Sequence, residues 1–266
     1  MVKVILNGAS GAMGKVVADL VAADENMEIV AGVDLNTDAK LGFPVFDDIR
    51  KIDIEADAVI DFASVKAVDN LLDFIEQKKI PAVICTTGLS EAQIDRINEL
   101  SSVSPILRSA NMSLGINMLL KVLAEVAPTL KKAGFDIEIV EAHHRRKLDA
   151  PSGTALLLAD SINSSMDEKL DYTYDRSDRH EQRRENEIGI SSVRGGTIVG
   201  DHDVIFAGED EVISFNHRAY SRKIFANGAI AAAKFLIGKS NGLYDMSDVI
   251  AFFRGEYEDF GDYCGI

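Results

Sequence analysis

The sequence has little cysteine, little proline and a shortage of positive charge, and each shortage narrows what it can be. The two cysteines, Cys85 and Cys264, form no spaced framework. That excludes a disulfide scaffold and fits a reduced, cytoplasmic setting. Five prolines and 27% charged residues argue against long disorder. No stretch of about 18 apolar residues occurs, so no membrane span is expected, and the short apolar run behind Met1 lacks the cleavage pattern of a signal peptide. Lys and Arg number 28 against 43 Asp and Glu, a net charge of −15. Such a chain is a poor nonspecific binder of nucleic acid or anionic membrane, and any local basic cluster in it runs against the background. Repeats and low-complexity tracts are also missing; the polar segment 171–187 reads as a loop.

What is present is 266 residues, 47% of them hydrophobic, enough for one large domain or two small ones. In the first half, short apolar runs at 3–7, 27–34, 57–63, 81–86 and 105–110 alternate with helical patterns at 14–23, 66–78 and 90–101. This alternation with short connections predicts a parallel, doubly wound sheet. The pattern changes near Asn111. A long amphipathic helix is expected at 114–132, then an alternating strand at 135–144 and a helix at 153–165. Strands follow near 188–194, 202–207 and 211–218, and an alanine-rich helix at 224–237. The second half therefore reads as an α+β domain. Domain limits of 1–113 and 114–240 follow, with the tail 241–266 packing back on the first domain.

The segment "NGASGAMGK" places Gly8, Gly11 and Gly14 after a strand and before a helix. Glycines there permit a tight turn and let backbone N–H groups approach a pyrophosphate at a helix N-terminus. Asp34 ends the second strand, 20 positions after Gly14, where a carboxylate can accept from an adenosine ribose. A carboxylate there repels a 2′-phosphate, and Leu35 beside it offers no cation, which favours NADH over NADPH. The segments 85–90 and 109–113 follow later strands, at the carboxyl edge where ligands of open parallel sheets bind; Ser90 and Ser113 there also suit helix capping.

Against the acidic background stands "EAHHRRKLDAPSGTA", residues 141–155. If the strand stays extended, His143 and His144 point to opposite faces and have different tasks. An adjacent pair does not readily chelate one metal from a strand, and no further spacing completes a site, so no metal is expected. The proline stops the strand, and Ser152-Gly153-Thr154 opens a helix whose free N–H groups form an anion site. A histidine and a lysine beside it can move protons. The residues thus describe a nicotinamide enzyme acting on a small acidic substrate.

With "GASGAMGK", "TTGLS", "SANMSLGIN", "EAHHRRKLDAPSGTA" and "FANGAIAAAKFL", the chain resembles, nearly end to end, the 4-hydroxy-tetrahydrodipicolinate reductase (dihydrodipicolinate reductase) family of lysine and diaminopimelate biosynthesis. The resemblance implies a Rossmann-type α/β domain and a second α+β domain whose mixed or antiparallel sheet binds substrate and builds a homotetramer. It implies reduction by NADH or NADPH, with hydride delivered to substrate C4 and water lost. By motif position His143 is then the proton donor/acceptor and Lys147 a second donor, while His144, Gly153 and Thr154, with Ser152 beside them, hold the substrate carboxylates. Gly8, Ala9, Ser10, Gly11, Ala12, Met13, Asp34, Cys85, Thr86, Thr87, Ser109, Ala110, Asn111 and Met112 match the cofactor contacts. Cys85, Leu35 and the proline-free stretch 61–68 depart from the usual pattern, all on the cofactor side, where they bear on nucleotide preference. Two other readings are another small-substrate NAD-dependent dehydrogenase and a non-catalytic NAD(H) sensor, the latter having little use for the titratable groups at 143–147.

Overall fold

The computed structural model describes residues 1–255; the tail beyond them, with Cys264, lies outside the described residues. The elements run β1 (Val2–Asn7), α1 (Ala12–Ala22), β2 (Met27–Val33), β3 (Val45–Phe46), β4 (Ala58–Asp61), α2 (Val65–Lys78), β5 (Ala82–Ile84), α3 (Glu91–Leu100) and β6 (Pro105–Arg108). They continue with α4 (Leu114–Lys132), β7 (Asp136–His143), α5 (Gly153–Ser164), β8 (Asp171–Tyr174), β9 (Glu187–Arg194), β10 (Gly200–Ala207) and β11 (Val212–Ala219), and end with α6 (Lys223–Leu236), β12 (Gly242–Tyr244) and α7 (Met246–Phe253). Among the described residues two compact units result: Met1–Leu114 with 222–255, and Gly115–Ser221.

In the first unit seven strands lie in the order β12-β6-β5-β4-β1-β2-β3, with every pairing parallel. The continuous apolar runs of β1, β4 and β5 are buried on both faces, as central strands between two helical layers must be. One core gathers Val4, Ile60, Val83 and Leu107; the other holds Ile5, Val59 and Ile84 under Leu71, Leu72 and Ile75 of α2. Ser90 starts α3 with a capping box completed by Gln93, as the serine's position suggested.

The expected second domain, 114–240, is too long at its far end. Helix α6 belongs to the first unit, where Ala226, Ala229, Ala232 and Ala233 enter the core beside Val4 and Leu107. Its row of small residues lets the helix axis lie close to the sheet, and Lys234 is tied to Asp24 at 2.6 Å. Periodicity reveals a helix's apolar face but not which sheet it covers. After α6 the chain adds β12 to the edge at β6.

The second unit is a five-stranded sheet in the order β11-β10-β7-β9-β8. It is mixed: β7 pairs antiparallel with β10 and parallel with β9. Along β7 burial alternates residue by residue. Ile137, Ile139, Glu141 and His143 therefore share one face, and the two isoleucines meet Leu158, Ile162 and Leu123 in the core. The expected loop 171–187 contains strand β8, and its charges are not a solvated run. Arg176 and Arg183 both grip Glu138, and Arg176 and Arg179 both grip the buried Glu187. Pairing with three guanidinium-bearing side chains lets a segment of low hydrophobicity fasten to a sheet.

Candidate active site

All parallel strands of the first sheet end on one edge, so the loops that follow them converge there. After β1 the chain turns at Gly8, whose φ is +83° and where a Cβ would lie 2.6 Å from the carbonyl oxygen of Phe62. At Gly14 a Cβ would lie 2.2 Å from the Gly8 carbonyl oxygen. Both positions admit only glycine, and α1 consequently begins directly against the strand end. Its Ncap, Gly11, offers no side-chain hydrogen bond, and no acidic residue occupies the first turn. Ala12 and Met13 therefore start a helix open to an anion, the cradle a dinucleotide pyrophosphate needs. Ala9 is fully buried, so among the loop residues it serves packing. Asp34 accepts from the backbone N–H of Ser10 at 2.9 Å and of Asn36 at 3.1 Å, which holds its carboxylate beside the loop. Leu35 next to it is almost wholly exposed.

The remaining cofactor candidates follow β5 and β6. Thr87 and Ala110 are exposed, while Ser109 is half-buried, its hydroxyl donating to the Asn111 carbonyl. Cys85 and Met112 turn their side chains into the core. Burial pushes the Cys85 thiol well above its ordinary value, with Asp61 adding to the effect, and excludes a thiolate there. Beneath this edge lies a polar cluster that sequence reading missed. The buried Asp61 accepts from the Asn7 side chain at 2.8 Å and the Ala63 N–H at 3.1 Å. Burial raises its carboxyl above the usual range.

The basic stretch lies in the second unit, at the carboxyl end of β7. His143 is 8% exposed and places Nδ1 2.6 Å from Oε2 of Glu141. Glu141 is fully buried and also accepts the Ser152 N–H at 3.1 Å. Arg194, at the end of β9, reaches it with two parallel bonds of 2.8 and 2.6 Å. Burial works to raise the Glu141 carboxyl, but the Arg194 fork, with Ser192 and His143, holds it down at about 2. His143 is itself lowered, chiefly by burial, with Glu141 opposing and Lys147 and Arg194 assisting. The ring of His202, from β10, meets it edge to face at 5.2 Å.

Beyond the strand, His144 is half-buried, Arg145 and Arg146 are exposed, and Lys147 pairs with Asp149 at 2.9 Å. Ser152 caps α5 by accepting the Ala155 N–H, and its hydroxyl lies 3.1 Å from Nε2 of His202. It is 1% exposed with both polar groups engaged. Ser152 thus builds the helix start. Gly153 is exposed and Thr154 half-exposed at the first turn of α5, where the Asp149 carboxylate accepts the Gly153 N–H. Glu141, Arg194 and His202 are thus members of the site that sequence reading passed over. The alternation of β7, which puts Glu141 and His143 on one face, was the available signal for the first.

Comparison with known proteins places a boundary at the same point, between residues 112 and 115. A family model described as dihydrodipicolinate reductase, N-terminus, matches residues 2–112, and one described as its C-terminus matches residues 115–250. A 4-hydroxy-tetrahydrodipicolinate reductase of Caldanaerobacter subterraneus subsp. tengcongensis is 54% identical over 94% of this chain and 98% of its own. One of Clostridium novyi is 47% identical over the same shares. Among solved structures, a dipicolinate-bound dihydrodipicolinate reductase from Paenisporosarcina sp. TG-14 superposes with a TM-score of 0.77 at 25% identity, covering 92% of this chain and 97% of that one.

Proposed function

The chain belongs to the dihydrodipicolinate reductase family, and from that premise we propose how its own residues carry the reaction. It is an oxidoreductase of lysine and diaminopimelate biosynthesis that reduces 4-hydroxy-tetrahydrodipicolinate to tetrahydrodipicolinate with NAD(P)H. The residues after β1, β2, β5 and β6 fit a dinucleotide, since the glycine cradle excludes any Cβ and α1 opens uncapped beside it. When bound, the reduced nicotinamide supplies the hydride. Backbone groups from Gly8 to Met13 hold the pyrophosphate, Asp34 the adenosine ribose, and the segments 85–87 and 109–112 the nicotinamide end. Asp34 beside the apolar Leu35 favours NADH, because a 2′-phosphate would face a carboxylate with no adjacent cation.

On the second unit the start of α5 at Gly153 and Thr154, with His144, binds a substrate carboxylate. Hydride enters at C4 and hydroxide leaves, so one proton must be delivered to make water. The doubly protonated ring of His143 delivers it from Nε2, the nitrogen not engaged by Glu141, and is left neutral with Nε2 bare; Lys147, the second donor, then resupplies Nε2 for the next turnover. The observation that carries this reading is the buried Glu141–His143 contact beside the start of α5. The outer sheet face, with Val193 and Val212 exposed, is the surface for a homotetramer. Among the described residues no helix is long and apolar enough to cross a membrane; we assign the enzyme to the cytoplasm.

Replacing His143 with Gln tests the proton assignment. The expected result is a kcat lower by roughly two to four orders of magnitude. Near-normal turnover would remove His143 from the mechanism. Lys147→Ala is expected to lower kcat and raise KM together, since the group both donates a proton and faces a dianion.

A further inference from the structure

We propose that Glu141, locked by Arg194, is the positioning residue of the site: it fixes His143 in the tautomer that carries its proton on Nδ1 and presents a bare Nε2 at a notch left by Gly200. The proposal rests on the reading of His143 as the proton carrier and names what orients it. Glu141 is fully buried and receives hydrogen bonds from His143 Nδ1, the Ser152 N–H, both terminal nitrogens of Arg194 and the Ser192 side chain. A carboxylate so paired has no proton to give, so in the 2.6 Å contact Nδ1 must be the donor. The neutral ring then has its lone pair on Nε2. At Gly200 a Cβ would stand 3.0 Å from that nitrogen, so any other residue there would crowd it. Glycine at the first position of β10 keeps it accessible.

The charges around the ring come from four elements. Glu141 lies on its own strand, Arg194 on β9, His202 on β10 and Lys147 in the loop that follows β7. Arg194 neutralises Glu141 enough that the imidazole is not pinned in its protonated form, while the carboxylate still fixes its direction. A bare buried carboxylate beside His143 would hold the proton too firmly to release. This dual use explains a buried Arg–Glu pair whose contribution to stability alone is small once desolvation is counted.

The direct test is 15N NMR of the whole protein labelled at histidine, which needs no variant. Near neutral pH the His143 signals are expected to show a protonated Nδ1 and an unprotonated Nε2; a protonated Nε2 in the neutral ring would overturn the proposal. Glu141→Gln is expected to lower kcat by roughly ten- to a hundredfold, as loss of an orienting carboxylate does, with KM within about threefold. It should also move the His143 inflection of the pH–kcat profile to lower pH, because Glu141 supports the charged ring. Wild-type kcat, inflection and tautomer in that variant would refute the positioning role. Gly200→Ala is expected to lower kcat with the tautomer unchanged, and unchanged turnover would remove the notch. His143→Gln separates the two levels. If it is near-normal, the proton assignment fails. If it is impaired while Glu141→Gln is not, only the positioning role fails.

Discussion

Acidification from pH 7 to pH 5 is expected to weaken the protein by roughly 2 kcal/mol through His202 alone. The ring is 4% exposed on the inner face of β10. Burial, assisted by the charge of His143, holds its pKa down at about 4, against 6.5 for a free imidazole. The unfolded chain therefore takes up a proton across an interval in which the folded one does not. Stability carried by the neutral ring is complete above about pH 6.5 and drains away as the pH falls toward 4. At pH 5 an unfolded group of pKa 6.5 is almost fully protonated and a folded group of pKa about 4 is not. The resulting ratio of about 30 is worth roughly 2 kcal/mol. His143 and His217 are displaced in the same direction and add to the loss. Glu141 and Glu187, held at about 2, lose their stabilising share only below about pH 4.5 and leave this interval untouched. Urea unfolding at pH 7 and pH 5, on the wild type and on His202→Asn, isolates the effect. The space left by the smaller side chain lowers stability equally at both pH values and cancels. The variant is expected to lose about 2 kcal/mol less than the wild type on acidification. Equal losses in the two proteins would refute the burial argument.

Three other outcomes follow from the geometry. Gly14→Ala gains up to about 1 kcal/mol of helix propensity but must move a carbonyl oxygen 2.2 Å from the new Cβ; crowding of this kind costs about 1–3 kcal/mol or more, so a lower Tm and weaker NADH binding are expected. Asp34→Ala should weaken NADH by about ten- to a hundredfold and NADPH less, measured as Kd by fluorescence titration; an equal loss for both would remove Asp34 from the ribose. Ser152→Ala removes the cap of α5 and should lower stability by about 1 kcal/mol in urea unfolding, while KM stays within about threefold because the hydroxyl faces inward to Ala155 and His202.

Much of this was legible in one dimension. The run "KVILN" followed by three spaced glycines dictates a buried strand, a tight turn and an open helix, all of them local consequences. The same holds for "DAPSGTA", where proline and serine set the strand end and the helix start. What local pattern could not supply was pairing across distance. Nothing near Glu141 in the sequence announces Arg194, 53 residues away, which makes a buried carboxylate tolerable. His202 reaches the site only because β10 lies antiparallel to β7, setting it opposite Glu141. The three arginines of 176–183 looked like solvated charge because their partners, Glu138 and Glu187, come from two other strands. Helix α6 was assigned to the wrong unit for the same reason: an alanine face fits any sheet.

The proposed reaction is tested most directly by a coupled assay that generates the unstable cyclic substrate in situ, run with NADH and NADPH in parallel. Oxidation of the nucleotide only when that substrate is present, with the higher kcat/KM for NADH, is the expected result. Tight NADH binding without oxidation, or faster turnover of a 2-oxo acid or an amino acid than of the cyclic dicarboxylate, would contradict it.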